Sequence, residues 1–69
     1  MIRVQVIVNG RLIDVPTGIT VDGLLMQLNL AEERVAVEHN QQVLDRGAFA
    51  QTVLVEGDVL EVVRFVGGG

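Results

Sequence analysis

Apolar and polar residues alternate from the start of the chain. Met1-Ile2-Arg3-Val4-Gln5-Val6 reads as a strand that runs on through Ile7-Val8. A second alternating run, Arg11-Leu12-Ile13-Asp14-Val15, follows after only Asn9-Gly10. That dipeptide is the strongest short signal for a two-residue type I′ turn, whose central residues both need positive φ. The turn sets the register: Val8 faces Arg11, Val6 faces Ile13 and Val4 faces Val15. Those valines and Ile13 share one face, assigned to the core. Arg3, Gln5 and Asp14 take the other face, with an opposed apolar pair, Ile7 and Leu12. An isoleucine–leucine pair on a solvent face is candidate docking surface.

The period then changes. Val21, Leu24, Leu25 and Leu28 fall on one side of a helix. Thr20 suits its N-cap, Ile19 before it can staple onto Leu24, and Asp22 favours the positive end of the helix dipole. Gly23 costs about 1 kcal/mol against alanine in a helix, so it calls for a reason: close helix–sheet contact, or tolerance in the first turn. Asn29 ends the helix.

Strand character returns at Val35-Ala36-Val37-Glu38-His39, with Val35 and Val37 on one face. Asn40-Gln41-Gln42 makes a turn, Asn40 being the residue suited to positive φ. A short strand through Val43 and Leu44 leads to Asp45-Arg46-Gly47-Ala48-Phe49-Ala50, read as one helical turn capped by Asp45 with Phe49 inward. Val53 and Val55 precede a tight turn at Glu56-Gly57-Asp58. The last run, Val59 to Val66, is apolar on both faces: Leu60 and Val62 toward the helix, Val63 and Phe65 away from it. That is the pattern of a central strand. The predicted fold is α+β, a mixed sheet of four to five strands with one helix across one face. This is the β-grasp, or ubiquitin-like, arrangement, over residues 1–66, with 67–69 as a flexible glycine tail.

Composition narrows the chemistry. Sixty-nine residues make one small domain, and 49% hydrophobic content argues against disorder. Phe49 and Phe65 are the only aromatics, so there is no stacking platform, and a net charge of −4 opposes nucleic acid and anionic membranes. A basic or apolar partner surface is the expected complement. The absence of cysteine removes disulfides, thiolate metal sites and thiol nucleophiles. No metal-ligand spacing occurs. The N-terminus lacks a signal-peptide core, and a cytoplasmic location is expected.

The chain finishes on Gly67-Gly68-Gly69. Three extended residues reach about 10 Å beyond a fold, and without side chains they can thread a narrow tunnel and deliver a carboxylate there. His39 reads as a turn-stabilising or surface residue, Glu32 and Glu33 as a solvated pair, and Asp45 as a cap. No catalytic residue is assigned.

Several of these runs resemble a known family. Glu61-Val62-Val63-Arg64-Phe65-Val66-Gly67-Gly68-Gly69 is similar to the C-terminus of the ThiS sulfur carriers of thiamin thiazole synthesis. So are Val35-Ala36-Val37-Glu38-His39-Asn40, Val43-Leu44-Asp45-Arg46, the helix start Thr20-Val21-Asp22-Gly23-Leu24-Leu25, and the turn Glu56-Gly57-Asp58. The family commonly has proline at the place of Asp45, an aromatic such as tryptophan near Phe49, and glycine where Gln41 stands. All three are packing or turn positions. The resemblance implies a protein co-substrate, not an enzyme. Gly69 would be adenylated by a ThiF-like partner that uses ATP, with no cofactor bound by the carrier itself. A cysteine desulfurase would supply the sulfur of a C-terminal thiocarboxylate, which feeds a ThiG-like thiazole synthase. Gly67 and Gly68 would thread the tunnel, and Ile7, Leu12, Val63 and Phe65 would contribute to docking. Two other readings share the tail: a carrier for molybdopterin synthesis, and a ubiquitin-like modifier conjugated to lysines.

Overall fold

A computed structural model describes residues 2–65. Gly67, Gly68, Gly69 and the expected domain boundary after residue 66 lie outside the described residues. The elements run β1 (Arg3–Val8), β2 (Arg11–Pro16), α1 (Val21–Gln27), β3 (Val35–His39), β4 (Gln42–Leu44), a 3₁₀ turn (Arg46–Ala48) and β5 (Val59–Arg64). They form one five-stranded sheet in the order β2-β1-β5-β3-β4. The first and last strands pair in parallel at its centre, and the other pairings are antiparallel.

The opening hairpin has the register that its turn dictates, Val8 with Arg11, Val6 with Ile13 and Val4 with Val15. Asn9 and Gly10 sit at φ 51° and 82°, as a type I′ turn requires. Val6, Val8 and Val15 are buried, and Val4 and Ile13 pack against them. The helix closes over this face with Val21, Leu24 and Leu25, and the core is completed by Val35, Val37, Phe49, Leu54, Leu60 and Val62. Leu54 was not singled out in the sequence, because it stands between the exposed Val53 and Val55 in an irregular segment.

Both helix ends are satisfied locally. Thr20 Oγ1 accepts the Gly23 N–H at 3.2 Å, and the free N–H groups of Val21 and Asp22 donate to the carbonyls of Thr52 and Phe49. Gly23 has a specific reason to lack a side chain. A Cβ there would lie 2.8 Å from Ile19 Cγ1, inside the contact limit. The close approach is to the residue before the cap, not to the sheet. At the far end Asn29 adopts φ 63°, with Asn29 N–H bonded to Met26 O and Leu30 N–H to Leu25 O. That is a Schellman ending with asparagine in the left-handed position.

Two details depart from the expected pattern. The turn between β3 and β4 comprises Asn40 and Gln41 alone, both at positive φ (50° and 71°), and Gln42 already belongs to β4. Asn40 is thus joined in the left-handed region by a glutamine. Asp45 occupies the N-cap position of the 3₁₀ turn but makes no side-chain capping bond. Its extended backbone (φ −67°, ψ 143°) marks the chain's entry to the turn, and Phe49 is buried just beyond.

Candidate functional site

Strand alternation leaves the face opposite the helix uncovered. Cross-strand registers arrange it in rows. Leu12, Ile7 and Val59 lie side by side across β2, β1 and β5. Glu61, Glu38 and Val43 form the next row across β5, β3 and β4, and Val63 pairs with Ala36 beyond them. Leu12, Val63 and Phe65 are 62%, 56% and 60% exposed, and Ile7 is half-buried. All four expected docking residues therefore reach this side of the molecule or its rim, Ile7 with the least accessible surface. A shallow depression lined by Ala36, Val43, Val63 and the two glutamates lies in the same face.

Val43, Val59 and Ala36 extend the patch beyond the residues singled out in the sequence. Val59 has the same parity as Val63 and Phe65, and Ala36 alternates with the buried Val35 and Val37. Both signals were present in the chain. The facing of Val43 was not, because a three-residue strand has too few alternations to assign.

Between the two apolar rows sits a like-charge pair. Glu38 and Glu61 are direct cross-strand partners. Neither makes an ion pair among the described residues. Opposed like charges destabilise a sheet, so the face is apolar with an uncompensated acidic centre.

The strand that leads to the tail is held from both sides by asparagines in turns. Asn9 donates its backbone N–H to Leu60 O at 2.9 Å. Its side chain then continues the ladder past the end of β1: Oδ1 accepts from Val62 N–H at 2.8 Å and Nδ2 donates to Val62 O at 3.1 Å. On the other side Asn40 donates its N–H to Val59 O at 2.8 Å and accepts Val59 N–H on Oδ1 at 2.9 Å. Asn40 Nδ2 also reaches Asp58 Oδ1 at 3.1 Å.

Asp58 is 6% exposed and anchors the turn before β5. Its Oδ2 accepts from Val55 N–H at 2.9 Å and lies 3.0 Å from His39 Nε2. Burial pushes this carboxyl up, but the bonds from His39, Val55 and Asn40 together outweigh burial and hold it below its ordinary value. His39 is thus a turn-stabilising residue. Asp58 and Asn9 were not marked in the sequence beyond their turns, since what each side chain grips is far away along the chain. Glu32 and Glu33 are exposed, and with Met26, Asn29 and Ala31 they line an open hollow at the end of the helix. The last described rung toward the tail is Phe65 N–H to Arg34 O at 2.9 Å.

The model of the ThiS family matches residues 3–69. The chain belongs to the ThiS family. A crystal structure of the thiamine biosynthesis protein ThiS of Geobacter metallireducens superposes with a TM-score of 0.79 at 38% identity, covering 94% of this chain and 99% of that one. The fold is accordingly the β-grasp of ThiS proteins. The sulfur carrier protein ThiS of Escherichia coli is 31% identical over 94% of this chain and 98% of its own. A thiazole synthase of Magnetococcus marinus is 49% identical over 88% of this chain. The chain spans about a fifth of the length of the thiazole synthases it matches.

Proposed function

We propose that this protein is a sulfur carrier in thiamin biosynthesis, a co-substrate and not a catalyst, whose reactive group is the α-carboxylate of Gly69. The observation that carries this reading is the family match, which extends through residue 69 and so includes the glycine tail. A carboxylate is ionised at neutral pH and is a poor acyl donor, since oxide would have to leave. An adenylating partner of the ThiF kind removes that barrier: the carboxylate oxygen attacks the α-phosphate of ATP, pyrophosphate leaves, and the resulting acyl adenylate has AMP as its leaving group. Sulfur from a desulfurase persulfide then displaces AMP, and reduction of the S–S link by a thiol releases the thiocarboxylate. Division of a hard transfer into easier steps is the logic of covalent catalysis.

Domain and tail divide the work. Residues 1–66 dock and 67–69 thread, with Gly67 and Gly68 bare so that the tail fits a narrow channel in line for attack. The docking residues are Ile7, Leu12, Val63 and Phe65, joined by Val43 and Val59. A thiazole synthase of the ThiG kind is the acceptor this reading favours, because stretches similar to this chain occur within longer proteins named thiazole synthase.

Intact mass of the protein from its native cells tests the reading. A species heavier by the difference between sulfur and oxygen, which reverts on mild hydrolysis, is the expected result. Only the unmodified mass under high thiazole demand would count against it. Gly68→Val is expected to fold normally and to slow adenylation at least tenfold, and normal ATP–pyrophosphate exchange would remove the threading argument.

A further inference from the structure

Asn9-Gly10 is the only place in the chain where glycine follows asparagine; Asn29 precedes Leu30 and Asn40 precedes Gln41. The dipeptide carries a chemistry besides its turn preference. The backbone nitrogen of Gly10 can attack Cγ, the side-chain carbonyl carbon of Asn9. The N–Cγ bond forms, the Cγ–Nδ2 bond breaks, and Nδ2 leaves as ammonia with the proton from Gly10. A cyclic imide remains. Water then opens the ring at Cγ, which leaves aspartate at position 9, or at the main-chain carbonyl, which leaves isoaspartate. Water is the sole co-reactant. Glycine lets the ring close fastest, because no side chain stands beside the attacking nitrogen.

In the folded protein β5 holds this asparagine by side chain and main chain together. Asn9 Oδ1 accepts from Val62 N–H at 2.8 Å, and Nδ2, the group that would have to leave, donates to Val62 O at 3.1 Å. Asn9 N–H donates to Leu60 O at 2.9 Å. Ring closure requires the carboxamide to turn toward Gly10 N, which breaks both bonds to Val62. Those bonds are half-buried, whereas Asn9 as a residue is exposed to the water that completes the reaction. What stands between this site and its chemistry is the grip on Val62, not a lack of solvent.

We propose that Asn9 is a site of spontaneous deamidation that β5 keeps closed, and that it reacts in molecules whose Asn9–Val62 contact has opened. The proposal goes beyond the carrier reading and does not depend on it. Both products weaken the contact that had protected the site. In aspartate the former Nδ2 becomes an anionic oxygen facing Val62 O, where a hydrogen bond of 3.1 Å had been. Isoaspartate routes the main chain through the side-chain methylene and lengthens the turn that sets the register of β1 on β2. A modified chain therefore reopens more readily than the original. The change runs one way and records time spent with the central strand detached.

Intact mass and peptide maps of the full chain, incubated at neutral pH, test this across a guanidinium series from native buffer to complete unfolding. The unfolded chain is expected to gain the mass difference between hydroxyl and amino at residue 9, as a mixture of aspartate and isoaspartate, with Asn29 and Asn40 intact. The folded protein should react roughly tenfold or more slowly, because only locally opened molecules contribute. Val62 N–H is bonded to the Asn9 side chain itself, so its hydrogen exchange reads the same contact. Below the unfolding midpoint, deamidation and Val62 exchange should accelerate by the same factor. Equal deamidation rates in folded and unfolded chains overturn the proposal. So does a folded-state rate that stays flat while Val62 exchange rises, which would assign the protection to the turn alone. A semisynthetic chain with an ester in place of the Val62 amide lacks that N–H. At a temperature where circular dichroism shows it folded, it should lose Asn9 faster than the amide form, and an unchanged rate overturns the part given to Val62. Should the ester form not fold, the guanidinium series decides by itself. Loss of Asn29 or Asn40 at the pace of Asn9 overturns the site.

Discussion

Gln41 stands at φ 71° in a two-residue turn, where a side chain crowds its own backbone. The left-handed conformation costs about 1–2 kcal/mol for a residue with a Cβ, and glycine gives back part of that in chain entropy. Gln41→Gly is therefore expected to raise stability by about 0.5–1 kcal/mol. Urea unfolding should show a higher midpoint at unchanged slope, and an unchanged midpoint would mean the turn bears no strain. Asp58 makes a second prediction at this scale. Its carboxyl ionises more readily folded than unfolded, so its contribution is complete above the unfolded value, near pH 4. That contribution is lost as pH falls through the lower, folded-state value. Asp58→Asn should cost about 1–3 kcal/mol at neutral pH and flatten the loss of stability on acidification. Parallel acid-unfolding curves for the two proteins would show that the carboxylate is not responsible.

Among the elements, β5 depends most on others. It is held by β1, β3 and two turn asparagines. Asn9→Gly keeps the positive φ of the turn and removes both side-chain bonds to Val62, for an expected loss of about 1–2 kcal/mol. Exchange of Val62 N–H should accelerate with it. If stability and exchange are unchanged, the Asn9 side chain is only a turn residue. These asparagines also mark what could be read in advance. The element order, the hairpin register, the helix cap at Thr20 and the two faces of β5 all follow from local period and turn chemistry. So does the exposure of Val63 and Phe65. The grip of Asn9 on Val62 crosses 53 positions of sequence, and the contact that keeps Gly23 bare is a rotamer of Ile19. Neither leaves a periodic trace. Asp45 stands where a cap belongs yet makes no bond, because position alone does not orient a side chain.

For the molecule as a whole, the uncovered sheet face sets a cost in folding against the docking role proposed for it. Glu38 and Glu61 oppose each other between two apolar rows. Glu61→Gln is expected to stabilise the free protein by roughly 0.5 kcal/mol and, under the proposed carrier role, to weaken a complex with an adenylating enzyme or a thiazole synthase. Calorimetry on both would test this, and an unweakened complex would show that the pair takes no part in recognition. Val63→Asp should weaken the same complexes at least tenfold with the melting temperature nearly unchanged.

The parallel pairing of β1 with β5 also sets when the protein can exist. Its first strand finds its central neighbour only after residues 59–64 have been made. On the ribosome, the opening hairpin and the β3–β4 pair must wait as separate pieces, with no strand between them to join the sheet. Folding is thereby deferred until the segment that leads into the tail has been synthesised, and a chain that breaks off before Val59 has no sheet centre and no stable fold.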